Sequence, residues 1–314
     1  MSDATRTQAP ILRGELRRDD PMAKHVTWRA GGLARVSFRP ADLEDLQAFL
    51  ASRPPEEPVL FVGLGSNLLV RDGGFDGAVV FTHRALTGIE FAPPLRHKLL
   101  FVAGSGAPAP QLARFVARHG GAGAEWLAGI PGTVGGALAM NAGCYGGETW
   151  NHVVSVRTID QRGVLRTRTA ADYHIGYRQV VARAGAAEWF VGATFAFDPG
   201  EEAVAMARMK ALLVRRVATQ PLNKPNAGSV FRNPAGDHAA RLIESCGLKG
   251  FTVGGAQVST RHANFIVNLG PATAADIEAV IEHVQAAVRS RTGIDLVREV
   301  RIVGTAGTER KAAS

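Results

Sequence analysis

The sequence predicts an α+β protein with more than one domain, and three observations support this prediction. Its 314 residues exceed the roughly 150 residues that a single domain typically contains. Residues 152–198 carry mostly strand-like patterns, whereas residues 201–217 carry a helical pattern. Residues 237–303 alternate between helix and strand signals. We therefore expect a strand-rich N-terminal region and a smaller α+β C-terminal region, divided at Pro199-Gly200.

The elements of the N-terminal region follow from apolar spacing and from breakers. Residues 1–23 show no sustained period, which predicts a mobile or loosely docked arm. Helices are predicted over residues 40–52, ending before Pro54-Pro55, and over 110–119, ending at Gly120-Gly121. Short apolar or alternating runs predict strands at residues 58–63, 78–82, 99–103, 153–159, 164–169 and 189–197.

The C-terminal region carries clearer helix signals. Asp237 is expected to cap a short helix that reaches Cys246, and residues 264–269 are predicted to form a strand. Thr273 and Asp276 are spaced as a capping box, which predicts a helix that ends at Gly293. A closing strand over 295–303 would place Glu299 and Arg301 on the same face.

Composition and charge exclude several classes of function. Basic residues exceed acidic ones by 8, but 30 of the 36 basic residues are Arg and no dense basic tract contains aromatic residues. Phosphorylated metabolites are therefore expected as partners, and nucleic acid is not. Without an apolar run near the ~20 residues of a membrane helix, and without a signal core, we expect a cytoplasmic protein. The presence of only two cysteines fits a reducing compartment. No motif has the close spacing of metal ligands, so no metal site is predicted.

Two glycine-rich segments are candidates for ligand contact. Gly63-Leu-Gly65-Ser-Asn67 follows a predicted strand, but Leu68 stands where a Rossmann fingerprint needs its third glycine. The loop can cradle a pyrophosphate or can be a simple tight turn. The segment from Gly129 to Gly143 contains five glycines, which lets main chain lie against a large flat or phosphorylated ligand. Close packing of small residues in a core is the alternative.

Several motifs, taken together and in order, resemble those of the UDP-N-acetylenolpyruvoylglucosamine reductases, the flavoproteins that complete UDP-N-acetylmuramate for peptidoglycan synthesis. They run from about residue 24 to 304. They are Thr27-Trp-Arg-Ala-Gly-Gly32, Gly63-Leu-Gly-Ser-Asn-Leu-Leu-Val-Arg-Asp72, Gly129-Ile-Pro-Gly-Thr-Val-Gly-Gly136, Asn141-Ala-Gly143, Gly176-Tyr-Arg178, Gln220-Pro221, Ala227-Gly-Ser-Val-Phe-Arg-Asn-Pro234 and Arg298-Glu-Val-Arg-Ile-Val-Gly304.

The resemblance implies an FAD-binding region of the vanillyl-alcohol-oxidase type over residues 24–199, with subdomains of about 24–84 and 85–199. A C-terminal substrate-binding domain over 200–304 and a tail over 305–314 would complete the chain. The implied reaction uses non-covalent FAD and NADPH to reduce UDP-N-acetylglucosamine enolpyruvate to UDP-N-acetylmuramate. The short stretch between Arg178 and Ser229 resembles the compact type of the family, which lacks an inserted tyrosine loop. A monomer is expected.

The resemblance also implies which residues bind FAD. The first glycine loop would lie near the pyrophosphate, and the second would lie along the pyrophosphate and the isoalloxazine. The implied FAD contacts are Gly63, Gly65, Ser66, Asn67, Leu68, Gly129, Ile130, Pro131, Gly132, Thr133, Gly135, Gly136, Asn141, Ala142 and Gly143.

Three residues match catalytic positions of the family. Ser229 would donate a proton to the substrate carbon beside the carboxylate, although a serine after glycine is commonly a turn residue. No Gly-x-Ser-x-Gly elbow surrounds it, which argues against a serine hydrolase. Arg178 would stabilise the carboxylate as it becomes an enolate, with a strand-edge salt bridge as the alternative. Glu299 would be protonated, or would share a proton, when the hydride arrives, with an ion pair to Arg301 as the alternative.

The remaining assignments concern the substrate and rival functions. Tyr177, Arg216, Lys224 and Asn233 are the implied substrate contacts, and Cys144 is either a buried small residue or a flavin contact. A different flavin oxidoreductase, which would often bond FAD covalently, is one rival function. A silent nucleotide-sugar binding protein is the other, and the joint presence of Arg178, Ser229 and Glu299 argues against it.

Overall fold

In the computed structural model, residues 11–183, 185 and 187–307 are described. The first region, residues 11–87, forms a mixed four-stranded sheet in the order β1-β2-β5-β3, with one covering helix. Phe38 and Phe49 stack between sheet and helix at a ring-centroid distance of 4.2 Å. The elements are β1 (Glu15–Pro21), β2 (Leu33–Arg39), α1 (Leu43–Ala51), β3 (Val59–Val62), β4 (Leu68–Val70) and β5 (Phe75–Phe81).

The first strand corrects the prediction of an N-terminal arm. β1 pairs antiparallel with β2 from Glu15 to Pro21, so residues 15–21 belong to the sheet. Before it, the backbone amides of Arg13 and Gly14 donate to the Asp45 carboxylate at 2.9 and 2.8 Å. Residues 13–21 are held by backbone hydrogen bonds and by the buried Asp45 carboxylate. These contacts produce no hydrophobic periodicity from which a strand could be predicted. Residues 1–10 of the predicted arm lie outside the described residues.

The second region, residues 88–220, is built around an antiparallel sheet in the order β12-β11-β15-β7-β6, with β8 also paired to β15. The predicted strands and the helix before Gly120 are confirmed here. The elements are β6 (Ile89–Leu95), β7 (Lys98–Gly104), α2 (Ala109–Arg118), β8 (Gly121–Ala122), α3 (Val134–Ala139), β9 (Gly143–Cys144), β10 (Gly147–Glu148), β11 (Val153–Asp160), β12 (Leu165–Arg168), β13 (Tyr173–Gly176), β14 (Gln179–Ala182), β15 (Glu188–Pro199) and α4 (Glu202–Thr219).

Helix α4 packs on the second region, although the predicted boundary at residue 200 assigns it to the C-terminal domain. Its buried residues, Ala205 and Met209, belong to the same apolar core as Phe101 and Phe197 of the sheet. A helix buries its apolar stripe against the element that it packs on. The packing therefore groups α4 with the second region and favours a division near residue 220.

The third region, residues 221–307, is a small α+β unit whose apolar core also includes Trp28, Ala30 and Leu69 of the first region. The capping box of Thr273 and Asp276 and the left-handed Gly293 at the helix end are confirmed. Asp237 does not cap the short helix that begins at Ala239, because its carboxylate pairs with Arg241 while Ala239 N donates to Asn233 Oδ1 at 3.1 Å. The elements are α5 (Ala239–Ser245), β16 (Thr252–Val253), β17 (Ala256–Val258), β18 (Ile266–Asn268), α6 (Ala274–Thr292) and β19 (Arg301–Val303).

The predicted closing strand is shorter than expected. Only β19 pairs as a strand, in parallel with β4 of the first region. The residues before it make a single bridge between Phe231 and Arg298, and Arg232 N donates to Val297 O at 2.9 Å. Residues 297–299 run beside residues 230–232 of the third region, and the chain then crosses to the first region. The continuous strand predicted from alternation is therefore wrong for residues 295–300. The crossing brings Glu299 beside the loop between β3 and β4.

None of the helices among the described residues has the length and apolar character needed to cross a membrane.

Candidate active site

A cavity of about 550 Å³ lies where the three regions meet. Its volume is within the range of small-molecule and cofactor sites, ~300–1,000 Å³. Both glycine-rich segments, the tip of the β13–β14 hairpin, the end of α4 and residues around Ser229 and Glu299 line it. The cavity therefore joins the two sequence features that were candidates for ligand contact with the three that were candidates for chemistry.

The two glycine-rich loops face each other across a narrow gap. A Cβ built on Gly63 would lie 2.3 Å from Thr133 Oγ1, and one built on Gly132 would lie 3.4 Å from Ser66 Oγ. A side chain at Gly63 would therefore push the loops apart. Fourteen of the fifteen predicted FAD residues line the cavity, namely Gly63, Gly65, Ser66, Asn67, Leu68, Gly129, Ile130, Pro131, Gly132, Thr133, Gly135, Gly136, Ala142 and Gly143.

Asn141 is the exception among the predicted FAD residues. It is 2% exposed, has φ +40°, and is absent from the cavity wall. Its amide nitrogen donates to Glu148 Oε2 and to Gly176 O, each at 3.1 Å, and its oxygen accepts from Trp150 N at 3.1 Å. The side chain thus holds the second glycine loop to the β13–β14 hairpin instead of reaching the cavity.

Arg178 lies at the tip of that hairpin, in a two-residue turn with Tyr177. Its φ of +55° lies in the left-handed region, which costs a non-glycine residue on the order of 1–3 kcal/mol and is commonly found at functional sites. Its Nε donates to Glu299 Oε1 at 3.0 Å, and its Nη atoms donate to Asn141 O at 3.4 Å and Gly143 O at 2.6 Å. The strained turn and these contacts hold the guanidinium at the cavity wall.

Glu299 reaches the cavity because β19 pairs with β4. Asn67 Nδ2 donates to Glu299 O at 3.1 Å, and Arg301 N donates to Asn67 O at 3.0 Å. Burial raises the pKa of the Glu299 carboxyl, and the positive charges of Arg178 and Arg232 only partly oppose that rise. The alternative of an ion pair with Arg301 is wrong, because Glu299 pairs with Arg178, a residue 121 positions away.

Ser229 is presented by a tight local turn. Gly228 has φ +73°, and its amide donates to Asn226 Oδ1 at 2.9 Å. Immediately after the serine, Val230 N donates to Asn264 O at 2.9 Å, which fixes the chain on the other side. Ser229 lines the cavity, and within the described residues its hydroxyl has no hydrogen-bond partner. The hydroxyl is therefore available to a ligand.

Three of the four predicted substrate contacts line the cavity, and one does not. Tyr177, Arg216 and Asn233 line the cavity, and the Arg178 guanidinium lies 5.1 Å from the Tyr177 ring centroid. Asn233 also uses its side-chain oxygen to cap α5. Lys224 is exposed and does not line the cavity, so its prediction as a contact lacks support in this structure.

Cys144 lines the cavity close to Arg216 and Arg178. Its thiol donates to Trp126 O at 3.1 Å, and burial raises its pKa to about 11 against the opposing effect of the two arginines. A thiol with so high a pKa is almost entirely protonated near neutral pH. Cys144 would thus lie beside a ligand in the cavity, and its protonated thiol is a poor nucleophile.

Several lining residues escaped the sequence analysis. Gln220 contacts Arg216, and Phe61 stacks on Trp189 at a ring-centroid distance of 4.8 Å. Gln220 stands in a motif that we noted without giving it a role. The two aromatic residues belong to ordinary strand patterns in different regions, so no local signal distinguished them from core residues.

The donor set fits FAD. Main-chain amides of two facing glycine loops and the Ser66 and Asn67 side chains can bind a diphosphate, while apolar and aromatic walls can hold flat rings. The close approach of Gly63 to Thr133 keeps the two loops together beside the cavity, and a side chain at Gly63 would separate them. The model of a family described as "FAD binding domain" matches residues 34–168. Fold and site together define an FAD-binding protein of the vanillyl-alcohol-oxidase type.

The C-terminal part identifies the family. A model described as "UDP-N-acetylenolpyruvoylglucosamine reductase, C-terminal domain" matches residues 220–303. The reductase of that name from Thiobacillus denitrificans is 54% identical over 305 residues, with 94% of each chain covered. The one from Nitrosomonas eutropha is 56% identical over 299 residues, covering 94% of this chain and 90% of its own. The chain belongs to the UDP-N-acetylenolpyruvoylglucosamine reductase family.

A solved structure supports the same assignment. The UDP-N-acetylenolpyruvylglucosamine reductase of Thermus caldophilus superposes with a TM-score of 0.76 at 30% sequence identity, covering 94% of this chain and 100% of its own. The superposition thus extends over all three regions of this chain. The family match from residue 220 also agrees with the packing of α4 on the second region.

Proposed function

We propose that Arg178, Ser229 and Glu299 carry the reductase chemistry of this family in this chain. The chain is an FAD-dependent oxidoreductase that reduces UDP-N-acetylglucosamine enolpyruvate for peptidoglycan synthesis. One observation carries the proposal: the Arg178–Glu299 contact, at 3.0 Å across 121 positions, lies in the wall of the cavity that Ser229 and both glycine loops also line.

Each side chain has a distinct role. When bound, FAD supplies the hydride, with NADPH as its source, and the terminal alkene carbon of the substrate accepts it. Negative charge then arises on the adjacent carbon and its carboxylate, where the positive charge of Arg178 stabilises it. Ser229 donates its hydroxyl proton to that adjacent carbon. Because a hydroxyl is a weak acid, neighbouring hydrogen-bond donors must stabilise the alkoxide that it becomes.

Glu299 contributes through its protonation state. Its raised pKa widens the pH range in which the carboxyl is a neutral acid, which can polarise the developing enolate where a carboxylate would repel it. Its contact with Arg178 keeps both groups in one orientation. We also propose that FAD is bound non-covalently and that the protein acts as a monomer in the cytoplasm.

The test uses the purified protein. We expect flavin absorption near ~450 nm, bleaching by NADPH under anaerobic conditions, and recovery of the absorption when UDP-N-acetylglucosamine enolpyruvate is added. A flavin that stays reduced after substrate addition would indicate a silent nucleotide-sugar binder. Flavin that remains with the protein after acid precipitation would indicate a covalent flavoprotein of another activity.

A further inference from the structure

Arg216 is a partly buried cation in the cavity wall whose side-chain partner is neutral. Its Nε donates to Gln220 Oε1 at 2.9 Å, and within the described residues no carboxylate forms a salt bridge with it. Burial lowers the pKa of the guanidinium, although arginine remains charged at physiological pH. A desolvated cation without a counter-ion is unfavourable in an isolated protein. Its position therefore suits the binding of an anion.

Two other arginines show that this arrangement is not the general one. Arg53 has the same spacing to its partner, four residues later, but the partner is the carboxylate of Glu57. Arg178 uses all three guanidinium nitrogens, on Glu299 and on two main-chain oxygens. Arg216 uses only Nε in a side-chain hydrogen bond, so its Nη atoms and its full charge remain available to a ligand.

Gln220 is itself held firmly. It is the first residue after α4, where its backbone N–H donates to Arg216 O at 2.9 Å. Its backbone carbonyl oxygen accepts from Arg261 Nη1 of the third region at 3.2 Å. Backbone contacts on both sides thus fix the place from which the side-chain oxygen contacts Arg216. The residue also lines the cavity, so the pair faces the ligand together.

We propose that Gln220 is a positioning residue for substrate recognition, which orients Arg216 without neutralising it so that the guanidinium binds an anionic group of UDP-N-acetylglucosamine enolpyruvate. This inference rests on the proposed function. A carboxylate at position 220 would keep the same shape and the same hydrogen bond, but it would compete with the substrate for Arg216. The neutral amide avoids that competition.

The test compares Gln220→Glu with Gln220→Met, using the substrate titrated into the oxidised holoenzyme and followed by the change in flavin absorption. For Gln220→Glu we expect a Kd at least about tenfold weaker, because a nearby ion pair now satisfies the arginine. Gln220→Met, which keeps the free charge but loses its orientation, should weaken binding about threefold. In both variants, reoxidation of the reduced flavin at saturating substrate should stay within about threefold of wild type.

Gln111→Glu provides a control, because it adds the same charge on an exposed position of α2 outside the cavity. It should bind substrate as the wild type does. Titration with UDP-N-acetylglucosamine, which lacks the carboxylate, then separates two anionic groups. A Gln220→Glu penalty with this ligand assigns the diphosphate to Arg216, and a penalty only with the enolpyruvyl substrate assigns the carboxylate.

The proposal is overturned if Gln220→Glu binds substrate as tightly as the wild type, or if both variants lose the same affinity. Flavin content and thermal midpoint of each variant report folding. If Gln220→Glu fails to retain FAD, Gln220→Met carries the test, and an unchanged Kd there overturns the proposal. If the reduced wild-type flavin is not reoxidised by substrate, the proposed function is contradicted. The Kd values of the Gln220 variants are a separate measurement, so the two failures can be told apart.

Discussion

The glycine loops and the catalytic end of the cavity use different parts of the chain. Each loop is one continuous segment that offers mainly backbone amides and small side chains, and the two meet where Gly63 faces Thr133. The catalytic end combines charged and hydroxyl side chains from a hairpin, from the turn at Ser229 and from the crossing before β19. Cofactor binding is thus encoded locally, whereas catalysis depends on how three regions are packed together.

The largest expected effect is at Ser229, and it tests whether the catalytic end acts separately from the loops. Ser229→Ala should slow reoxidation of the reduced flavin by substrate about 10²–10⁴-fold, because the proton donor is lost. Flavin reduction by NADPH should be nearly unchanged, since the loops remain intact. Stopped-flow absorbance measures both steps.

Ser290→Ala, on an exposed position of α6, is the matched control for Ser229→Ala and should behave as wild type. A Ser229→Ala variant that reoxidises at the wild-type rate would remove Ser229 from the mechanism. Equal losses in both half-reactions would show that the cavity, and not one proton transfer, had been damaged.

Glu299 gives the next largest effect, and its sign follows from the raised pKa of its carboxyl. The neutral acid is present below that pKa and is lost as the pH rises through it, so wild-type reoxidation should slow with rising pH. Glu299→Gln cannot titrate and lacks the acidic proton that polarises the developing enolate, so it should slow reoxidation about 10²-fold while removing this part of the pH profile. Reoxidation rates measured across the pH range provide the test.

Glu282→Gln, on an exposed position of α6, is a control that makes the same substitution outside the cavity. It should keep the wild-type pH profile. If Glu299→Gln kept the same decrease with rising pH, another group would be responsible for it.

The same contrast explains how much was predictable from sequence. The loop residues could be recognised because their glycines stand close together in the sequence, and the cavity wall contains all of them except Asn141. The partner of Glu299 could not, because alternation placed Arg301 beside it while the structure places Arg178 there. Most helices and strands were predictable from apolar spacing, because the buried face of each element produces a regular apolar pattern within its own short segment.

The errors in the fold have the same origin. β1 is held by pairing with β2, and α4 packs on the second region through only two buried residues, Ala205 and Met209. Neither interaction leaves a strong period in the sequence. Asn233, interpreted as a substrate contact, also caps α5, a structural use that spacing alone could not indicate.

A smaller effect is expected at the loops. Gly63→Ala would bring a Cβ within 2.3 Å of Thr133 Oγ1, and such overpacking typically costs ~1–3 kcal/mol, so FAD should bind about tenfold more weakly. Titration of the apoprotein with FAD, followed by flavin fluorescence, measures the loss. Thr133→Ala in the same chain removes the clashing atoms and should restore part of the affinity.

Gly88→Ala is the control for Gly63→Ala, because its Cβ would meet nothing within 4 Å. It should bind FAD normally. Should Gly63→Ala also bind normally, the facing loops would not be the cofactor cradle, and the contrast between the two ends of the cavity would fail.

The smallest effect is expected at Cys144, which lies in the cavity wall without a chemical role. With its pKa raised to about 11, the thiol should react with iodoacetamide at pH 8 far more slowly than an unperturbed cysteine. Labelling of the apoprotein, read by peptide mass spectrometry before and after denaturation, checks this. Rapid labelling of Cys144 in the native protein would show that the thiol is ionised and that its surroundings are misassigned.

A crystal structure of this protein with FAD and UDP-N-acetylglucosamine enolpyruvate tests most directly whether the cavity is the catalytic site. We expect the FAD diphosphate to lie between the Gly63–Leu68 and Gly129–Gly136 segments. We also expect Arg178, Ser229 and Glu299 to surround the reacting edge of the flavin and the substrate alkene. A diphosphate bound elsewhere, or a substrate whose alkene lies out of reach of Ser229, would contradict this assignment.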